Sequence, residues 1–228
     1  MNYVFDVDGT LTPSRGKIDH DFAAFFYRFC LNNTVYLVTG SDYEKTLEQL
    51  GEDICHAVAG CYNCSGNVLY VQGEEVYRDF FLLNDDERAA LKNELYASGF
   101  PIRTGNHIEE RNGAVNFSIV GRNANAIERQ QYIEWDNALN ERAEIAKRLN
   151  KAFDRLQCVV GGETGIDIFA KGKDKAQIAE YVRPFVFFGD RCEVGGNDHS
   201  IFMKADNAYY VHDWEETYRL LKNIGRLQ

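Results

Sequence analysis

The sequence predicts an α/β fold, a core built on a parallel sheet with an inserted α+β unit whose strands pair antiparallel. Three observations carry this. Short, wholly apolar runs that stop abruptly at polar residues recur near both ends of the chain, as strands buried on both faces do. Helical stripes alternate with them, and strand–helix–strand order implies parallel pairing. In the middle the pattern gives way to alternating strands around a tight-turn signal. The expected division is a core from 1–80 and 173–228 and an insert from 81–172.

Tyr3-Val4-Phe5 is the first buried strand, closed by Asp6-Val7-Asp8-Gly9-Thr10. Phe22, Phe25, Phe26, Phe29 and Cys30 then fall on one helical face, with Asp19 or Asp21 near its start. Val35-Tyr36-Leu37-Val38 reads as a second buried strand ending in Thr39-Gly40, and Ser41 with Glu44 has the form of a capping box for a helix through Leu47 and Leu50. Ala57-Val58-Ala59 is a candidate third strand, and residues 67–71 and 75–77 a hairpin. In the middle, Asn84 to Ser98 is helical with Leu91 and Leu95 on one face, and Asn112-Gly113 joins strands at 108–111 and 114–120. A polar helix around Ala143, Ala146, Leu149 and Phe153 precedes an alternating strand, Ile166-Asp167-Ile168-Phe169. The first pattern resumes with a helix over Asp174 to Arg183, strands at Phe185–Phe188 and Ala208–Val211, and a closing stripe of Trp214, Tyr218 and Leu221.

With 228 residues, 45% of them hydrophobic and 13% aromatic, the chain can fill a core, which excludes disorder as a default. Its 25 basic and 35 acidic side chains leave a charge of −10, which argues against attraction to nucleic acid or an anionic membrane. An anionic ligand must be captured locally. No apolar run approaches the roughly 20 residues of a membrane helix, and Met1 to Asp8 runs straight into a strand, so no signal peptide is expected. The six cysteines are scattered and read as reduced core residues, which points to the cytoplasm.

In an open parallel sheet, ligands bind at the carboxyl ends of the strands. Asp6 and Asp8 end the first strand, Thr39 and Ser41 the second, and Asp190, Asn197 and Asp198 follow a late one. Like charges this close call for a cation, and Mg²⁺ held by Asp6, Asp8 and Asp190 would suit, with substrate phosphate and water completing its shell. Asp6 can then attack phosphorus while Asp8 exchanges a proton with a sugar oxygen, a phosphoryl-transfer constellation.

These residues, with Lys175 and Gly195-Gly196-Asn197-Asp198, resemble in order the four motifs of the haloacid dehalogenase (HAD) superfamily. The resemblance implies a HAD-like Rossmannoid core with a cap of the Cof/IIB type. It makes Asp6 a nucleophile that becomes aspartyl phosphate and Asp8 the general acid/base. Thr39 or Ser41 and Lys175 would hold phosphate. The opening Phe5 to Ile18, Glu110-Arg111-Asn112-Gly113, Gly121-Arg122, Glu128-Arg129, Gly161-Gly162 and Asp167-Ile168-Phe169 further resemble the eukaryotic-type α-phosphomannomutase family across nearly the whole chain.

That family resemblance implies that cap arginines Arg111, Arg122 and Arg129 clamp a second phosphate, with Arg15 from the core, Asp167 near the sugar, and position 165 at the distal phosphate. Here position 165 is Gly165, without the family's usual hydroxyl, and Thr164 is the alternative source. The expected activity is interconversion of mannose 6-phosphate and mannose 1-phosphate, with Mg²⁺ as cofactor and a hexose 1,6-bisphosphate as activator. Thr39, where the family tends to carry glycine, keeps a sugar-phosphate phosphatase as the competing function. Members commonly pair through the cap, so a homodimer is expected on that ground alone. Each residue also has a plainer role open to it: Asp8-Gly9 a turn, Ser41 a helix cap, Lys175 and Arg129 solvated surface, Arg111 an ion pair with Glu109 or Glu110, and Asp167 a solvated strand face.

Overall fold

The computed structural model describes residues 1–224. Along the chain, β1 (Asn2–Phe5), α1 (His20–Asn32), β2 (Thr34–Val38), α2 (Tyr43–Leu50), α3 (Glu52–Ala57), β3 (Gly60–Asn63), β4 (Val68–Val71) and β5 (Glu74–Arg78) come first. Next are α4 (Asp85–Ala97), β6 (Ile108–Arg111), β7 (Ala114–Phe117), α5 (Ala126–Leu139), α6 (Glu141–Ala152), β8 (Leu156–Gly161) and β9 (Gly165–Ala170). Last are α7 (Ala179–Val182), β10 (Phe185–Gly189), α8 (His199–Phe202), β11 (Asn207–Tyr210) and α9 (Trp214–Ile224).

One seven-stranded sheet runs in the order β11-β10-β1-β2-β3-β4-β5. It is parallel from β11 to β3, and the β4–β5 hairpin adds antiparallel strands at one edge. Val4 and Phe5 point to opposite faces and are both fully buried, which is why the strand reads as an unbroken apolar run. Phe5, Phe22, Phe26 and Phe188 fill one side; Val4, Val38, Ile178, Phe185 and Phe187 fill the other. Phe5 stacks on Phe188 at 4.7 Å and meets Phe26 edge-on at 5.2 Å, tying β1, β10 and α1 together. The Asp19 carboxylate caps α1 by accepting from the Asp21 and Phe22 amides.

The second sheet is a four-stranded antiparallel one, β6-β7-β9-β8, covering its own core of Val115, Phe117, Tyr132, Ile145, Leu149 and Ile168. The chain divides into Met1–Arg78, Lys175–Val194 and the residues from Asp198 on, and a second unit of Asp79–Asp174 with Gly195–Asn197. The divisions fall two residues from the expected 80/81 and 172/173: Lys173 Nζ pairs with Asp79 Oδ2 at 2.7 Å within the second unit.

Five local expectations are corrected. The third strand is β3, not 57–59: Gly51 (φ +83°) starts α3, which buries Ile54 and Cys55, and pairing begins only where the Ala59 amide reaches Val35 O. Asp42 rather than Ser41 caps α2, its carboxylate accepting from the Lys45 amide at 2.8 Å. The strand expected to reach Val120 stops at Phe117, where Ser118 Oγ turns aside to donate to Thr164 O. The helix expected over 174–183 is a 3₁₀ turn, Lys175–Ile178, followed by the short α7, because Lys175 is drawn into the core. Finally, α5 and β8 lie where no element was expected. The six cysteines are buried, and among the described residues no helix is long and apolar enough to cross a membrane.

Candidate active site

The parallel register pairs Phe5 with Phe188, so the residues that follow β1 and β10 leave the sheet at the same edge. The Asp6 amide continues the ladder by donating to Phe188 O at 2.9 Å. Beyond it, Asp6, Asp190 and Asp198 each place a carboxylate oxygen within 4.8 Å of the others. Lys175 Nζ sits among them, 2.5 Å from Asp6 Oδ1 and 2.7 Å from Asp198 Oδ1. Asp6, Lys175 and Asp198 are all buried.

Three carboxylates facing one ammonium leave excess negative charge, and the titration of the group records it. Burial, then Asp198 and Asp190, push the Asp6 carboxyl well above the ordinary carboxylate range, against the pull of Lys175. Asp190 is pushed up to about 6 by burial and by Asp198. Burial would pull the Lys175 ammonium down, but Asp198 and Asp6 outweigh it and hold it charged. A cluster of hard oxygen donors with more negative charge than its lysine offsets fits a divalent cation of the Mg²⁺ kind.

Glycine is required beside this cluster. Gly9 stands at φ +82°, and a Cβ on it would lie 2.2 Å from Asp190 Oδ2. A Cβ on Gly189 would come within 2.8 Å of Asp198 Oδ2.

Of the expected cation set of Asp6, Asp8 and Asp190, the Asp6 and Asp190 carboxylates lie together with that of Asp198, while the Asp8 carboxylate is turned to Arg15, Gln49 and Ser41. Asp8 Oδ1 accepts from the Arg15 backbone amide at 2.6 Å and from Gln49 Nε2 at 2.9 Å, and Oδ2 accepts from Ser41 Oγ at 3.4 Å. Gln49 Nε2 also reaches Thr12 Oγ1 at 3.1 Å and Gly16 O at 3.3 Å, bracing the loop that carries Asp8. Thr39 is buried and its Oγ1 accepts from the Ser41 amide at 3.1 Å. Arg15 is exposed in that loop with φ +59°. Lys175, for which a solvated role stood open, is 1% exposed. Gln49 was not foreseen; a glutamine on the buried face of α2 beside Leu50 was the available signal.

In the second unit, Arg111 at the end of β6 and Arg122 beyond β7 meet on one oxygen: Glu109 Oε2 lies 2.9 Å from Arg111 Nε and 3.2 Å from Arg122 Nε. Arg129, on α5, is held by Glu163 Oε2 at 2.7 Å and donates from Nη1 to Thr164 Oγ1 at 3.4 Å. The Ser118 hydroxyl joins the two stretches, accepting from the Gly121 amide and donating to Thr164 O.

Asp167 lies across from Asn116 in the β7–β9 register and accepts from its Nδ2 at 2.7 Å. Asn116, also unforeseen, is 4% exposed with its Oδ1 unpaired. A Cβ on Gly165 would come within 2.5 Å of Asn116 Nδ2, so Asn116 would have to shift, and the neighbouring Thr164 hydroxyl accepts from Arg129.

An acidic cluster with an embedded lysine at the carboxyl ends of β1 and β10, a second aspartate two residues after the first, and a cap sheet inserted after β5 define a HAD-type fold. Solved structures agree. The chain superposes on a trehalose-6-phosphate phosphatase related protein with a TM-score of 0.59 at 20% identity, covering 100% of this chain and 98% of that one. It superposes on Plasmodium falciparum IMP-nucleotidase with a TM-score of 0.69 at 15% identity, covering 99% and 68%.

Sequence narrows the class further. Residues 22–227 match the model of the eukaryotic phosphomannomutase family. The chain is 34% identical to the phosphomannomutase of Galdieria sulphuraria and 31% identical to that of Saccharomyces cerevisiae, in both cases over 98% of this chain and 94% of the relative. The Arabidopsis thaliana phosphomannomutase is 33% identical over 87% of this chain and 85% of its own. This chain belongs to the eukaryotic phosphomannomutase family.

Proposed function

We propose that the protein is an Mg²⁺-dependent phosphomannomutase that interconverts mannose 6-phosphate and mannose 1-phosphate, primed by a hexose 1,6-bisphosphate. The observation that carries this reading is that the chain holds both a buried nucleophile cluster, in one unit, and a set of arginines, Arg111, Arg122 and Arg129, in the other. A phosphatase needs only the first; an enzyme that handles a sugar phosphorylated at both ends needs both.

Lys175 fixes Asp6 Oδ1, and Oδ2, which accepts from Thr10 Oγ1 at 3.4 Å, is the oxygen that would attack phosphorus. The Asp6–phosphorus bond forms as the bond from phosphorus to the sugar oxygen breaks, and Asp8 gives that oxygen its proton. In the companion step Asp8 takes the proton from the free hydroxyl of a hexose monophosphate, which accepts the phosphoryl group from Asp6 and becomes the 1,6-bisphosphate intermediate. A divalent cation at Asp6, Asp190 and Asp198 would neutralise phosphoryl charge. Thr39 and Ser41 can donate hydroxyl hydrogen bonds to the phosphoryl oxygens, and the arginines of the second unit would take the phosphate that is not being transferred.

The test is an assay of the purified protein with Mg²⁺ and mannose 1-phosphate, with and without glucose 1,6-bisphosphate, following mannose 6-phosphate and inorganic phosphate together. Activator-dependent formation of mannose 6-phosphate is expected, and Asp6→Asn should abolish it in both directions. Phosphate release with no mannose 6-phosphate overturns the mutase in favour of the phosphatase.

A further inference from the structure

Arg129 already has an anionic partner inside its own unit. Its Nη2 lies 2.7 Å from Glu163 Oε2, the distance at which a guanidinium would also hold a phosphate oxygen. The two partners differ in burial: the Arg129 side chain is 14% exposed, that of Glu163 49%. The guanidinium is therefore fixed while the carboxylate is half in water. The turn that carries Glu163, between β8 and β9, is anchored through its backbone. Arg142 Nη1 donates to Gly162 O at 3.0 Å and Gly165 O at 3.3 Å, and Arg142 is itself locked to Asp136 Oδ2 at 2.7 Å. A turn anchored through its backbone thus presents a half-exposed carboxylate to a mostly buried arginine.

We propose that Glu163 determines specificity at the distal phosphate site, as an internal competitor that the phosphate must displace from Arg129. The proposal rests on the reading of Arg129 as a substrate arginine. Arg111 and Arg122 share Glu109, and Arg129 pairs with Glu163. A sugar hydroxyl brings no charge with which to replace a carboxylate on a guanidinium, whereas a phosphate dianion brings more charge than it displaces. Glu163 is a positioning residue: it acts through Arg129 and takes no part in the chemical step.

The experiment measures KM and kcat for mannose 1-phosphate, with Mg²⁺ and bisphosphate present, in wild type, Glu163→Gln, Arg129→Ala and the double variant. Glutamine keeps the shape and removes the charge. KM should fall about two- to five-fold in Glu163→Gln with kcat little changed, about 0.4–1 kcal/mol at 1.4 kcal/mol per tenfold, in the range of exposed ion pairs. In the Arg129→Ala background the same change should leave KM where it is, because the partner is gone. A KM in Glu163→Gln equal to or above wild type overturns the proposal, and so does an equal fall in both backgrounds. Arg129→Ala alone should raise KM; if it does not, the substrate role of Arg129 has failed, a result separate from the behaviour of Glu163.

Discussion

A carboxyl buried beside two others holds its proton to a higher pH than one in water, and Asp190 does so up to about 6. Its folded value is raised, so its contribution to stability is full below the ordinary carboxylate range and is lost as pH rises through about 6. In chelator the protein should therefore melt lower at pH 7 than at pH 5 on account of this group, and Mg²⁺ should restore the loss. Asp190→Asn should raise the chelated melting temperature at pH 7 by about 2–4 °C, the effect of about 1 kcal/mol in a protein of this size, and should abolish the gain from Mg²⁺; calorimetry reads both. A second expectation concerns Gln49, which orients Asp8. Gln49→Leu should lower kcat about tenfold, a fraction of what an acid/base group supplies, with KM little changed in steady-state assays, because the Arg15 amide still holds the carboxylate. Asp6 and Asp190 were legible because each follows a strand that apolar patterning marks, and Lys175 by its place in the order of the four motifs. That Asp198 rather than Asp8 joins the cluster was not, since it depends on which way two side chains turn in loops without periodicity.

Elements differ in how openly they announce themselves. β1, β2 and β10 are unbroken apolar runs, and α4 carries a full capping box between Asn84 and Glu87. The α5 helix buries only Tyr132 and Asp136 among its 14 residues, too few to make a stripe, although Asn125 and Glu128 form a capping box that marked its start. Besides carrying Arg129, α5 supports the site through Asp136: it accepts from the Arg142 backbone amide and Nε, and Arg142 in turn holds the turn at 162–165. Asp136→Ala leaves a buried guanidinium unpaired and should cost about 3 kcal/mol or more, read as a lower urea midpoint.

The molecule is assembled from two units with separate hydrophobic cores, and only one of them is continuous in sequence apart from a three-residue graft. A fragment spanning residues 79–174 holds the whole four-stranded sheet with α4, α5 and α6. It should unfold cooperatively by circular dichroism when expressed alone, whereas residues 1–78 alone should not, because β1 would lack its neighbour β10. The two-segment core was read from the return of apolar strands near the carboxyl end, and the units divide two residues from the edges expected there. β1 lies between β2, made shortly after it, and β10, made some 180 residues later. The nucleophile is thus made well before the lysine and both companion acids that surround it. A product that stops between β2 and Lys175 carries Asp6 without any of the three groups that orient and charge it, and should be chemically silent.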